Sequence, residues 1–254
     1  MEGATSALPF FLCVGKPNRP RHAWQNASMG ETIPAYIQSA FDREREHAHA
    51  AAKQVKETVG FRMLAVKMFG RLAELQQRVI TDEHVAVACE RGCSYCCHLR
   101  VEIRPHEAFV LANHIQTRFD EAQRARVIAR LAETLQRISP LTREQHIRAG
   151  IPCALLEDGA CSVYEGRPAT CRKYYSVSVD TCRDAFNDTA APLTGALEHD
   201  NLRFAGNAVV LGFAKGLEEA GYNADMVELH FALKLALESN KPEKRYKSGK
   251  KPFV

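Results

Sequence analysis

No run of apolar residues in this chain approaches the roughly 18 that a helical membrane span needs. That absence argues against spanning helices. The apolar stretch Leu8–Val14 is short, and Glu2 precedes it where a signal peptide would carry basic residues. Lys16, Arg19 and Arg21 follow it where small residues would mark a cleavage site. Residues 1–30 therefore read as a disordered N-terminal extension, and the compartment as cytoplasmic, where thiols stay reduced. Charge of one sign is scarce too. The net charge is +4, with much of the excess in Lys241–Lys251, which is too little and too local to suggest nucleic acid. Gly-rich phosphate loops, His-Glu-x-x-His and Gly-x-Ser-x-Gly are missing, as are a dinucleotide fingerprint, internal repeats and low-complexity segments. No nucleotide or S-adenosylmethionine pocket is recognisable.

What remains is the composition of a globular domain, 46% hydrophobic and 25% charged. At 254 residues it is long enough to bury a full core without covalent staples. The pattern is mainly helical. Ile37, Phe41, Ala48, Ala52, Val55 and Val59 recur by threes and fours between Pro34 and about Val59, and Gly60 reads as a break. A second helix to about Ile80 carries Phe61, Leu64, Met68, Leu72, Leu75 and Val79. Val101-Glu102-Ile103 alternates like a short extended segment. Arg104-Pro105 then opens a helix. Asp120, with Gln123 three residues on, forms the capping box of the next, whose stripe is Ile128, Leu131, Leu135 and Ile138. A short helix follows between Thr142 and Gly150, another restarts at Gly166-Arg167-Pro168, and Asp180 is placed to cap a turn carrying Cys182. Leu202–Leu217 reads as a buried helix, with Gly212 and Gly216 serving packing. A last helix, capped by Asn223, runs to about Ser239, and residues 241–254 read as a basic flexible tail.

Against this ordinary background cysteine is concentrated. Four thiols fall between Cys89 and Cys97, at 89, 93, 96 and 97, and Cys153, Cys161, Cys171 and Cys182 follow; only Cys13 lies elsewhere. Cys93 and Cys96 have the C-x2-C spacing that converges on one metal ion in a knuckle turn. Offsets of four, seven and eight from Cys89 would also share a helix face, but Gly92 favours a turn over an unbroken helix. Clustered thiolates repel unless a cation holds them. Arg91, Arg100, Arg167, Arg172 and Lys173 are close enough in sequence to offset the charge of a thiolate-bound metal. Disulfides do not suit a cytosolic chain of this size, and a redox C-x2-C lacks its βαβ context. His84, His98, His106 and His114 read as ordinary polar residues rather than ligands.

Asp158-Gly159 between two short apolar runs predicts a hairpin carrying Cys153 and Cys161. A two-residue turn would pair Leu156 with Cys161 and set the two thiols on opposite faces. A three-residue loop of Glu157, Asp158 and Gly159 would set them on one face. The expectation is the three-residue loop, with positive φ at Gly159 and both thiols facing Cys93, Cys96 and Cys97.

Three stretches taken together resemble a known family: Gly92-Cys93-Ser94-Tyr95-Cys96-Cys97; Pro152-Cys153-Ala154-Leu155-Leu156; and Cys161 through Tyr164-Glu165-Gly166-Arg167-Pro168 to Cys171-Arg172. They resemble the YkgJ-like cysteine-cluster family with its CxxCxxCC motif, over about residues 85–185. The resemblance implies a zinc- or iron-chelating domain. A related cysteine domain in flagellin lysine N-methylases implies an iron–sulfur cofactor. Cys93, Cys96, Cys97, Cys153, Cys161 and Cys171 carry over as metal ligands. Cys89 stands one residue further from Cys93 than the motif name expects, and Cys182 matches nothing in the pattern; both join the set as further ligands.

The sequence thus predicts a single helical domain over residues 31–240, organised around a metal site drawn from 89–182, with one short hairpin. The function expected is structural chelation of an iron–sulfur cluster or zinc. The resemblance, not the spacing, favours 4Fe–4S. Two alternatives stand beside it: an iron–sulfur-dependent protein lysine N-methylase-like enzyme, against which the missing cofactor pocket counts, and a redox or metal-transfer partner. The expected partners are a protein at most, with neither nucleic acid nor membrane.

Overall fold

The structure, a computed structural model, describes residues 33–188 and 197–253. The N-terminal extension and Cys13 lie outside them. Ten α-helices and two short antiparallel strand pairs are found among the described residues, as the mainly helical pattern predicted. None of these helices is long and apolar enough to cross a membrane.

Two helices open the fold, α1 (Ala35–Ala52) and α2 (Val59–Asp82). The break between them falls at 53–58, not at Gly60, which is the second residue of α2. There its bare Cα lets Val55 approach; a Cβ would stand 2.7 Å from Val55 Cγ1. Helix α3 (Pro105–Arg118) begins where Arg104-Pro105 predicted. Helix α4 (Glu121–Ile138) carries the reciprocal capping box, Gln123 N–H donating to Asp120 Oδ1 at 2.7 Å and Asp120 N–H to Gln123 Oε1 at 2.9 Å. Leu131 and Ile138 of its expected stripe are buried and Leu135 is half-buried, but Val127 is buried in place of Ile128, which is 55% exposed. Helix α5 (Arg143–Arg148) is capped by Thr142 in the same way. Short α6 (Ala169–Arg172) and α7 (Val179–Asn187) carry Cys171 and Cys182; the N-cap of α7 is Ser178 rather than Asp180.

Strand β1 (Glu102–Ile103) is the extended segment expected. Its partner is β4 (Val227–Glu228), inside the stretch expected to be helical from Asn223. The last long helix therefore starts later, as α9 (Leu229–Glu238), with Glu228 accepting the Phe231 N–H as its cap. The remaining pair, β2 (Leu156–Glu157) and β3 (Ala160–Cys161), is the hairpin.

Two apolar clusters form the core. One joins α1, α2 and α8 (Asp200–Glu219) through Ala48, Phe61, Met68, Leu72, Val209 and Phe213. The other joins α3, α4, α9 and the hairpin through Leu111, Ile115, Val127, Leu131, Leu155 and Leu233. Helix α3 serves both, with Phe109 and Val110 in the first and Leu111 and Ile115 in the second. Cys153, Cys161 and Cys171 pack against the second cluster.

The segment after Asn240 is not the flexible tail its charge suggested. Lys241–Lys247 forms α10, and Tyr246 is fully buried, with its ring edge-on to Phe61 at 5.0 Å and to Phe109 at 5.6 Å. The lysines solvate one face while a single aromatic residue ties the other to the core. Tyr246→Ala is therefore expected to cost about 3 kcal/mol, the scale for emptying a buried aromatic site. A urea midpoint equal to that of the parent chain would show the segment to be dispensable.

Candidate metal centre

Each cysteine is set by its own piece of backbone. After α2 the chain runs extended, and Ala88 N–H donates to Ser176 O at 2.8 Å. This brings Cys89 against the strand-like segment before α7, where Ser176 N–H donates to Cys89 Sγ at 3.1 Å. A turn follows, closed by Cys93 N–H to Glu90 O at 3.2 Å, with Gly92 at φ +100°. That left-handed conformation, open to glycine at little steric cost, breaks the helix that Cys89–Cys97 could otherwise form. Cys96 and Cys97 sit on a single 3-10 turn, Tyr95–His98. Cys153 is joined to that turn by its own N–H, which donates to Cys97 O at 2.8 Å.

The hairpin corrects the sequence reading. Its register is Leu156 with Cys161 and Glu157 with Ala160, so the turn has two residues, Asp158 at φ +49° and Gly159 at φ +75°. Positive φ at both central positions is the type I′ geometry that matches strand twist. The expected three-residue loop is overturned. Strand alternation does not govern Cys153, because the chain turns there: Leu156 N–H donates to Cys153 O at 2.9 Å. Cys153 is held instead by its backbone bond to Cys97, and with Cys161 and Cys171 it packs against the second core cluster.

A buried carboxylate braces the frame. Glu107 accepts Arg104 N–H at 2.7 Å and Ala169 N–H at 2.6 Å, which ties α3 to the start of α6 and so places Cys171. Thr170 Oγ1 donates to Glu102 O at 2.9 Å. Helix α7 lies against the 3-10 turn: Phe186 meets the rings of Tyr95 at 5.7 Å and His98 at 4.8 Å. Cys182 precedes Phe186 by one helical turn and so lies on the same face.

The electrostatics divide the thiols. Burial pushes Cys89 up, and Cys96, Cys182 and Cys93 push it further. Cys93 is raised by burial and then by Cys96 and Cys182. Burial raises Cys171 well above the ordinary thiol range, and Cys96, Cys153 and Cys161 add to it. Cys161 is raised by burial, Cys153 and Cys96. Cys96, an exposed residue, acts on both groups, and its hydrogen bond with Cys97 is the largest cause that drives it up steeply. An outer set of Cys89, Cys93 and Cys182 and an inner set of Cys153, Cys161 and Cys171 thus share Cys96, with Cys97 at its side. Of the basic residues expected to offset thiolate charge, Arg167 does so, favouring the ionised form at Cys96, Cys161 and Cys171. Arg100 is engaged by Glu102 and His146, Arg172 by the carbonyls of Arg167 and Glu165, and Lys173 by Asn207.

His230 and Glu228 were not foreseen. His230 is 2% exposed, at the start of α9; its Nδ1 lies 2.7 Å from Glu228 Oε1, and its Nε2 accepts Ala154 N–H at 3.2 Å. Burial disfavours charge on this ring, yet hydrogen bonds with Cys153 and Glu228 outweigh it and raise its pKa to about 10. The Ala154 contact, in which Nε2 accepts, is that of a ring protonated on Nδ1. A lone histidine far along the chain from the last cysteine carries no spacing signal.

All eight cysteines among the described residues are free thiols. As placed, no three His, Cys, Asp or Glu side chains among the described residues already converge tightly enough to hold an ion. The donor set nevertheless suits zinc or iron, both of which take thiolate sulfur. The helical frame thus presents eight free thiols between Cys89 and Cys182. Residues 88–191 match the family model CxxCxxCC, described as "Putative zinc- or iron-chelating domain". Neither the curated proteins nor the solved structures contain a match.

Proposed function

We propose that the thiols of Cys89, Cys93, Cys96, Cys97, Cys153, Cys161, Cys171 and Cys182 chelate metal, that the metal is structural, and that it is an iron–sulfur cluster in preference to zinc. The observation carrying this reading is that residues 88–191, which match the chelating family model, hold all eight free thiols, with Cys153 N–H bonded to Cys97 O and Cys89 Sγ held by Ser176 N–H. Protonated thiols gain little from such crowding, whereas a bound cation turns the same crowding into ligation. When bound, metal would supply charge neutralisation and cross-linking. The chain's part is to deliver sulfur: the Gly92 turn and the 3-10 turn present Cys93, Cys96 and Cys97; the hairpin presents Cys161; α6 and α7 present Cys171 and Cys182. Arg167 moderates the negative charge.

Anaerobic purification followed by iron, zinc and acid-labile sulfide analysis tests the reading. The expected result is a brown protein absorbing near 400 nm, with sulfide matching iron. A colourless protein holding stoichiometric zinc would overturn the iron–sulfur preference and leave chelation standing. Protein free of both metals after anaerobic reconstitution would overturn chelation itself.

A further inference from the structure

We propose that His230 Nε2 is a metal donor of the inner set, beside Cys153, and that Glu228 is the residue that aims it. This rests on the chelation reading above, but not on which metal is bound. His230 lies outside the family match of residues 88–191, so neither the motif nor its spacing points to it.

The geometry is that of an oriented ligand. Metal-binding imidazoles characteristically donate their second ring N–H to a carboxylate, which fixes tautomer and ring orientation. His230 Nδ1 stands 2.7 Å from Glu228 Oε1, with side chains only 3% and 11% exposed. Glu228 is itself fixed: it lies in β4, paired with Glu102 of β1, and its other oxygen accepts Phe231 N–H at 2.9 Å as the cap of α9. The ring therefore has its Nδ1 proton committed. Its Nε2 lone pair accepts the N–H of Ala154, the residue next to Cys153, at 3.2 Å, the long end of the hydrogen-bond range. A metal–nitrogen bond at Nε2 would take the place of this hydrogen bond.

Charge supports the same assignment. Four thiolates on a divalent ion leave two net negative charges, while three thiolates and a neutral imidazole leave one. Where Cys153, Cys161 and Cys171 pack against the second core cluster, the smaller charge is the less costly to enclose. The remaining histidines of the region are worse placed. His98 Nδ1 is 3.1 Å from Ser94 O, and both ring nitrogens of His106 are buried without a hydrogen-bond partner, its ring against Phe213 at 5.1 Å.

Reconstitution of the full chain with cadmium-113 tests the proposal, because cadmium occupies thiolate sites and couples through bonds to ligand nuclei. The expected spectrum has a cadmium resonance coupled to imidazole ring protons, a coupling lost in His230→Gln. Glu228→Gln keeps the ring but loosens its aim. It should retain the cadmium count while weakening affinity about 10- to 100-fold, the usual effect of removing such an outer partner. Cadmium bound with no imidazole coupling would overturn the role of His230 and leave thiol chelation intact. A wild-type chain that retains no cadmium, zinc or iron would remove both readings. Should His230→Gln fail to fold, the wild-type coupling and the Glu228→Gln affinity still decide the matter.

Discussion

Stripping metal from the folded protein is expected to lower its melting temperature by roughly 6–12 °C, the shift that about 3 kcal/mol produces in a domain of this size. The proposed ligands come from five places along the chain, and a metal joining Cys96 or Cys97 to Cys153, Cys161 and Cys171 would close long loops in the native state. Binding free energy is then folding free energy. Cys171→Ala should reproduce most of the loss, because that thiol lies among Cys96, Cys153 and Cys161 and packs on the second core cluster. Cys182→Ala should cost less, since α7 buries none of its residues. The pH dependence should separate the two forms. Without metal, Cys89, Cys93, Cys161 and Cys171 hold their protons more tightly folded than unfolded. Their contribution is complete below the ordinary thiol pKa of about 8.5 and is lost as the pH rises above it. With metal the sign reverses, because binding expels protons and stability falls on acidification. Thermal melts of loaded and stripped protein between neutral and alkaline pH read both. Identical melting of the two forms at neutral pH would sink the structural role.

What could be read from the sequence was whatever depends on neighbours along the chain. Pro105, the Asp120–Gln123 box and Thr142 set helix starts through contacts three residues away, and each start is where it was expected. Glycine placed the turn before Cys93, and Asp158-Gly159 placed the hairpin. The failures depend on distant partners. β4 exists because Glu102 and Ile103 need an edge to pair with, and Leu229 N–H donates to Val101 O at 3.0 Å; the helical pattern around it gave no hint. The tail was misread because seven residues rich in lysine outweigh one tyrosine in composition, whereas the core registers only the tyrosine. His230 was passed over for the same reason: its meaning comes from Glu228, Ala154 and Cys153, two of which lie more than seventy residues away. Sequence spacing found the thiols, and only the fold shows the Cys153 N–H bonded to Cys97 O.

The helical frame makes a prediction in which two effects oppose each other. Replacing a mid-helix glycine with alanine stabilises an exposed helix by about 1 kcal/mol. Gly216→Ala in α8 should instead destabilise the protein by about 3 kcal/mol. A Cβ at Gly216 would run into the backbone oxygen of Arg45 and lie 2.7 Å from Ala48 Cβ and 2.8 Å from His49 N. Those are largely backbone atoms of α1, which cannot step aside as a side-chain tip can, so α1 and α8 must separate along their contact. Overpacking of this kind exceeds the propensity gain. Gly212, one turn earlier, meets the Phe41 carbonyl in the same way, beside the buried Glu44 that Arg71 holds through Nε at 2.7 Å. Gly70 provides the control: it lies within α2, is exposed, and a Cβ there would meet nothing within 4 Å. Gly70→Ala should therefore raise the urea midpoint while Gly216→Ala lowers it. Since α1 and α8 meet away from the thiols, metal bound per folded chain should be the same in both variants. Equal midpoints for the two would mean that α1 and α8 have room to part, and that the close crossing is not what holds the first core cluster together.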